Sequence, residues 1–155
     1  MKFYISGALQ GSSCLSDARK LYEETANRME RKGIAPFLPH RQTDPVHAAL
    51  LSSDDVFERD LKALNECAAI IAFLDEPSHG VGAEVAICLG RNMPMLPLAR
   101  HGKKCSRFLE GMIRSNGTEI ARYGGMSDID RLLDDFILRN GFLPHCDDAS
   151  RIPAT

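Results

Sequence analysis

Apolar and polar positions along the chain alternate between two patterns. Short apolar-rich segments stand at residues 2–6, 34–38, 68–74, 93–99 and 119–123, too short for buried helices and suited to strands. Between them lie longer segments with apolar residues at helical spacing. Leu15, Ala18, Leu21, Tyr22, Thr25 and Met29 mark a helix over about 16–32, and Phe57, Leu61, Leu64 and Ala68 another over about 53–67. Phe108, Leu109 and Met112 mark a short helix at 105–115, and Ile129, Leu132, Leu133, Phe136 and Ile137 a last one at 127–140. Ser16 and Ser127 are the expected N-caps; Gly33 and Gly141 are the expected stops. Pro36 sends the second strand to an edge. The connection over 39–53 reads as partly helical around 46–51.

The stretch from Ala68 to Gly90 organises the rest. An apolar strand ends at Leu74, Asp75 to Gly80 break it, and Gly80 and Gly82 bracket a helix start. The helix over 81–89 is apolar on nearly every side and is expected to be buried, with Glu84 as its one ionisable residue, in its first turn. Strands alternating with helices imply a parallel sheet. The expectation is an α/β, flavodoxin-like three-layer sandwich of five strands in the order 2-1-3-4-5. Strands one and three then flank the switch point, and the loops over 7–13 and 75–82 meet in one crevice beside Glu84. Asp60 lies at the border of its helix's apolar face. Residues 1–143 form a single domain and 144–155 a frayed tail.

Charge and composition narrow the function. A net charge of −2 offers no electrostatic case for nucleic acid or an anionic membrane. No apolar run reaches membrane-spanning length, and the N-terminal residues lack a signal-peptide core. The five cysteines, Cys14, Cys67, Cys88, Cys105 and Cys146, have no CxxC spacing, which fits a reducing, cytoplasmic setting and no zinc site.

Glu84 has two readings. A first-turn acid complements the helix dipole, but an acid in an apolar helix also costs desolvation that a function would explain. Paired with Asp60, it allows glycosidic chemistry. Gly7 and Gly11 with Ser12 and Ser13, and Ser78 with Gly80 and Gly82, offer backbone amides to a phosphate near helix starts, though ordinary turns use the same residues. His40 and His79 are candidate donors, and Cys88, Met93 and Met95 read as packing.

Three segments in this order and spacing carry a resemblance. Tyr4-Ile-Ser-Gly7, then Glu58-Arg-Asp60-Leu61 with Leu64, then Glu76-Pro-Ser78-His-Gly80-Val-Gly82-Ala-Glu84 resemble the nucleoside 2-deoxyribosyltransferase superfamily. The likeness spans residues 2–114 and is nearest to its 2′-deoxynucleoside 5′-monophosphate N-hydrolases. It implies a homodimer or higher homo-oligomer, no metal or cofactor, and a small nucleotide or nucleoside as substrate. It implies Glu84 as nucleophile, Asp60 as the group that protonates the departing base, and Tyr4 beside the nucleophile and the sugar 2′ position. Ser78 stands six residues before Glu84, where the transferases carry an acid, and with the glycine amides it suits a phosphate. Gln10 and Glu110 depart from the N-hydrolase pattern by removing phosphate-friendly groups, for which Arg41 or Arg114 are candidate replacements. His40-Arg41 is similar to cytidylate hydrolases of the superfamily, so base and sugar stay open. The expected activity is hydrolysis of a (deoxy)nucleoside 5′-monophosphate to free base and sugar phosphate. The alternatives are base exchange by a deoxyribosyltransferase and a nucleotide-binding sensor without turnover.

Overall fold

Five parallel strands in the order β2-β1-β3-β4-β5 form the sheet of the computed structural model, which describes residues 1–9, 14–43 and 50–142. The strands are β1 (Lys2–Ser6), β2 (Ala35–Phe37), β3 (Ala69–Phe73), β4 (Met95–Arg100) and β5 (Ala121–Tyr123). The helices are α1 (Leu15–Arg31), α2 (Ser53–Glu66), α3 (His79–Gly90), α4 (Arg107–Ser115) and α5 (Met126–Arg139). The architecture is the expected flavodoxin-like α/β fold, with Pro36 on the edge strand. A short 3-10 turn, Pro39–Arg41, follows β2.

Alternation along the strands builds two cores. Phe3, Ile5, Ile71, Phe73 and Leu98 point to α1 and α5, where Tyr22, Met29, Ile129 and Phe136 meet them. Tyr4, Ile70, Ala72 and Ala99 point the other way, against Leu64 of α2, Val85 and Cys88 of α3 and Ile113 of α4. All five residues of β3 are buried, as a central parallel strand requires. Gly33 (φ 75°) and Gly141 (φ 67°) end α1 and α5 in the left-handed region, where L side chains are strained.

Several local expectations change. The N-cap of α1 is Cys14, not Ser16, and that of α5 is Gly125, not Ser127, neither with a side-chain cap bond. At α5 the Asp128 carboxylate instead accepts the Gly124 N–H at 2.8 Å. Phe57 on α2 and Ala68 just past its end are exposed; the inward face carries Val56, Asp60, Ala63 and Leu64, continued by Cys67 at the C-cap. Asp60 therefore lies along the middle of that face rather than at its border. The α3 helix begins two residues earlier than expected, capped by Ser78, so Glu84 sits in the second turn. The dipole reading of Glu84 loses force, since that effect fades beyond the first turn. Nor is α3 buried all round: Val81, Val85 and Cys88 are inside, while Ala83 and Ala86 are exposed. The expected helical stretch at 46–51 falls largely, and the tail wholly, outside the described residues.

Candidate active site

Sheet alternation sets the floor of the site. Tyr4 and Ser6, two residues apart on β1, share the face that looks at α2 and α3. Ser6 pairs in register with Ala72 near the carboxyl end of β3, at the switch point. Helix α3 starts just beyond that end and brings Glu84 back over it. The Tyr4 hydroxyl donates to Glu84 Oε1 at 2.7 Å, and the Ser6 hydroxyl donates to Oε2. Both oxygens of one carboxylate are therefore held from below by β1. Tyr4 is kept in place by stacking on Phe37, with ring centroids 5.3 Å apart.

Asp60 joins from α2. The buried Thr43 hydroxyl lies 3.1 Å and 3.3 Å from its two oxygens and also 3.0 Å from the Pro39 carbonyl, so one hydrogen serves three acceptors. Burial pushes the Asp60 carboxyl above the usual range, and the Thr43 bond opposes this. Burial likewise raises Glu84, opposed by Ser6 and Tyr4, and the Asp60 charge raises it further. The Tyr4 hydroxyl is pushed far up by burial and by the Glu84 charge, so it remains a donor. Cys88, one turn along α3, is pushed up to about 12 by burial and then by Glu84, which leaves it a neutral packing thiol.

The glycines divide. Gly7 follows Ser6, and a Cβ there would collide with the Tyr22 ring, so close approach requires glycine. Ser78 accepts the Val81 N–H at 3.4 Å and the Gly82 N–H is bound to the Ser78 carbonyl at 3.1 Å. Gly80, on Glu84's face four residues before it, keeps an amide without an intrahelical partner. Gly82 instead lines a cleft of about 710 Å³ toward α4, with Ser78, His79, Ala86, Phe108 and Met112. A larger groove of about 870 Å³ opens beside Pro94 and Asn116, at the opposite, amino ends of β4 and β5, away from all these groups. Gly11 and Gln10 lie outside the described residues.

His40 stands on the 3-10 turn with its Nε2 2.7 Å from Glu23 Oε1, and its ring lies 6.3 Å from that of Tyr22. Arg41 donates to the same carboxylate at 2.6 Å and, with His40, holds Glu23 below the usual range. Arg114 pairs with Glu110 at 2.7 Å along α4. Both candidate replacement cations are thus already engaged. Among the described residues no cluster of three or more His, Cys, Asp or Glu could hold a metal, and Cys14, Cys67, Cys88 and Cys105 are free thiols. No helix among them is long and apolar enough to cross a membrane.

Sequence reasoning missed Ser6 and Thr43. Ser6 was findable, because a polar residue two positions from Tyr4 on a strand must share its buried face. Thr43 was not, because only the tertiary fold brings its loop to α2.

The five-stranded parallel sheet, with Glu84 held by β1 at the switch point and Asp60 acting on its ionisation, is of the flavodoxin-like α/β class. The family model for nucleoside 2-deoxyribosyltransferase matches residues 3–129, and the chain belongs to that family. It is 30% identical over 136 residues, covering 86% of this chain and 91% of the relative, to a Thermofilum pendens protein provisionally named 2′-deoxynucleoside 5′-phosphate N-hydrolase 1. It is 22% identical over 156 residues to the 5-hydroxymethyl-dUMP N-hydrolase of Rattus norvegicus, covering 97% of this chain and 92% of that protein. A Clostridium botulinum CMP N-glycosidase has a similar fold (TM-score 0.65, 17% identity, 86% of this chain and 99% of that one).

Proposed function

We propose that this protein hydrolyses the N-glycosidic bond of a (deoxy)nucleoside 5′-monophosphate, releasing free base and sugar 5-phosphate. The observation that carries the reading is the Glu84 carboxylate, held at both oxygens by Tyr4 and Ser6, with Asp60 close enough to act on its ionisation. One Glu84 oxygen attacks the anomeric carbon as the bond from that carbon to the base nitrogen breaks, and Asp60 delivers its proton to the base. A glycosyl ester on Glu84 results. Water then attacks the same carbon, Asp60 takes its proton, and the Glu84 carboxylate is released. The transition states resemble an oxocarbenium ion, which a carboxylate stabilises electrostatically.

Tyr4 orients the nucleophile and borders the sugar 2′ position. Gly7, Gly11, Ser78 and Gly80 receive the sugar phosphate, with Gly82 leaving room for it and His40 on the rim. The Gly80 amide, in the first turn of α3 where no intrahelical acceptor is available, supports the phosphate role, while the engaged Gly82 amide limits that residue to making room. We further infer a cytoplasmic homodimer or higher homo-oligomer. The cleft between α3 and α4 and the 81% exposed Phe108 at its edge support association, which light scattering tests.

Chromatography of base released from ribo- and deoxyribonucleosides and their 5′-monophosphates, with and without a second base, tests the activity. Hydrolysis of monophosphates alone is expected, and Glu84→Ala abolishes it. Exchange of bases would make the chain a transferase instead. Binding of monophosphates without release would make it a sensor.

A further inference from the structure

Ser6 is one of three buried polar or charged residues among those described, and it is wholly inaccessible. Its counterpart Thr25 spends its hydroxyl inside α1, on the Leu21 carbonyl 2.8 Å away. Ser6 instead reaches across 78 residues of chain to a single acceptor, Glu84 Oε2. A buried hydroxyl is tolerated only when its hydrogen bond is made. Here the bond is made to the one carboxylate that β1 faces. The two acids of the site are unequally supplied. Among the described residues Glu84 has a separate donor on each oxygen, whereas Asp60 shares one Thr43 hydrogen with a backbone carbonyl.

We propose that Ser6 is a positioning residue: by filling the oxygen that Tyr4 leaves open, it keeps Glu84 as the ionised, oriented member of the pair and leaves the proton to Asp60. The proposal deepens the glycosidase reading and rests on it for its catalytic meaning. Hydrogen bonds to a charged acceptor favour the charged form, and two unequal donor sets split two neighbouring carboxyls into acid and nucleophile. Among the described residues the titratable groups that bear on Glu84 are Tyr4 from β1, Asp60 from α2 and Cys88 from its own helix. Tyr4 and Cys88 stay neutral at ordinary pH, so the pair that titrates is Glu84 with Asp60. Without Ser6, Glu84 keeps one donor and competes with Asp60 for the proton.

The test uses the full chain labelled with ¹³C at the glutamate carboxyls. The Glu84 signal is identified by its loss in Glu84→Gln and followed with pH. In Ser6→Ala, Glu84 ionises about one pH unit higher than in the parent, the size expected for one hydrogen bond to a charged group. Ser6→Cys, with a weaker donor of similar shape, falls between. The acid limb of kcat/KM moves by the same amount, while KM on the alkaline plateau stays within about two-fold. An unmoved Glu84 titration in Ser6→Ala overturns the proposal. So does an equal loss of activity at every pH, which marks a merely structural serine. If the titration shifts as expected but Glu84→Gln releases base at the parental rate, the clamp stands and the glycosidase reading falls.

Discussion

Replacing Glu84 by glutamine removes a charge and keeps the shape. Tyr4 can still donate to the amide oxygen, and Ser6 can accept from the amide nitrogen. What disappears is the cost of holding a carboxylate away from water, and then its repulsion by Asp60. A carboxyl whose folded pKa lies above its unfolded value of about 4.3 binds more protons folded than unfolded. Its favourable contribution is complete below the unfolded value and is lost as pH rises through the folded one. Glu84→Gln should therefore match the parent near pH 4 and exceed it at pH 7. Single stabilising substitutions commonly yield about 0.5–2 kcal/mol, and a chain of this size gains about 2–4 °C per kcal/mol, so a rise of a few degrees in melting temperature at pH 7 is expected. The assay is a series of thermal melts of parent and variant between pH 4 and 8, with no substrate present. A difference that does not change with pH, or a variant less stable at pH 7 than at pH 4 relative to the parent, would refute the claim that Glu84 carries a burial cost for its charge.

Asp60→Asn should slow base release by about 10²–10⁴-fold, the usual share of a positioned acid, and most for poor leaving groups; equal slowing across bases removes the leaving-group role. Ser78→Asp preserves a good cap for α3 yet sets a negative charge where phosphate is expected, so KM should rise at least about tenfold for monophosphates and little for nucleosides. Equal changes for both would dismiss the phosphate argument. Gly7→Ala drives a Cβ into the Tyr22 ring and should cost about 1–3 kcal/mol, read in urea unfolding; an unchanged midpoint would mean the ring moves aside freely.

Periodicity by itself located the five strands and the five helices, and their alternation implied a parallel sheet, for which the order 2-1-3-4-5 was one of the few arrangements available. Those features depend on local spacing, on the length of apolar runs and on the few ways parallel strands can connect. It also determined that Glu84 stands past the end of a central strand, because strand, break and helix are consecutive in the chain. Its errors lay where side-chain choice is decided by neighbours. The apolar Phe57 is exposed on α2 while the acid Asp60 lies along the inward face, because the site lies beside that part of the helix. Ser16 and Ser127 were good caps by type, yet the loops enter their helices two residues earlier. The hydrogen bonds of the two acids belong to tertiary structure; only Tyr4 beside Glu84 was anticipated, and by the family resemblance rather than by any local pattern. Tyr4 and Ser6 reach Glu84 across 80 and 78 residues, and Thr43 reaches Asp60 across 17. No local pattern encodes such pairs. They arise because sheet alternation aims two hydroxyls at the one face where α2 and α3 both pack, and a carboxylate held there must take its hydrogen bonds from whatever that packing supplies.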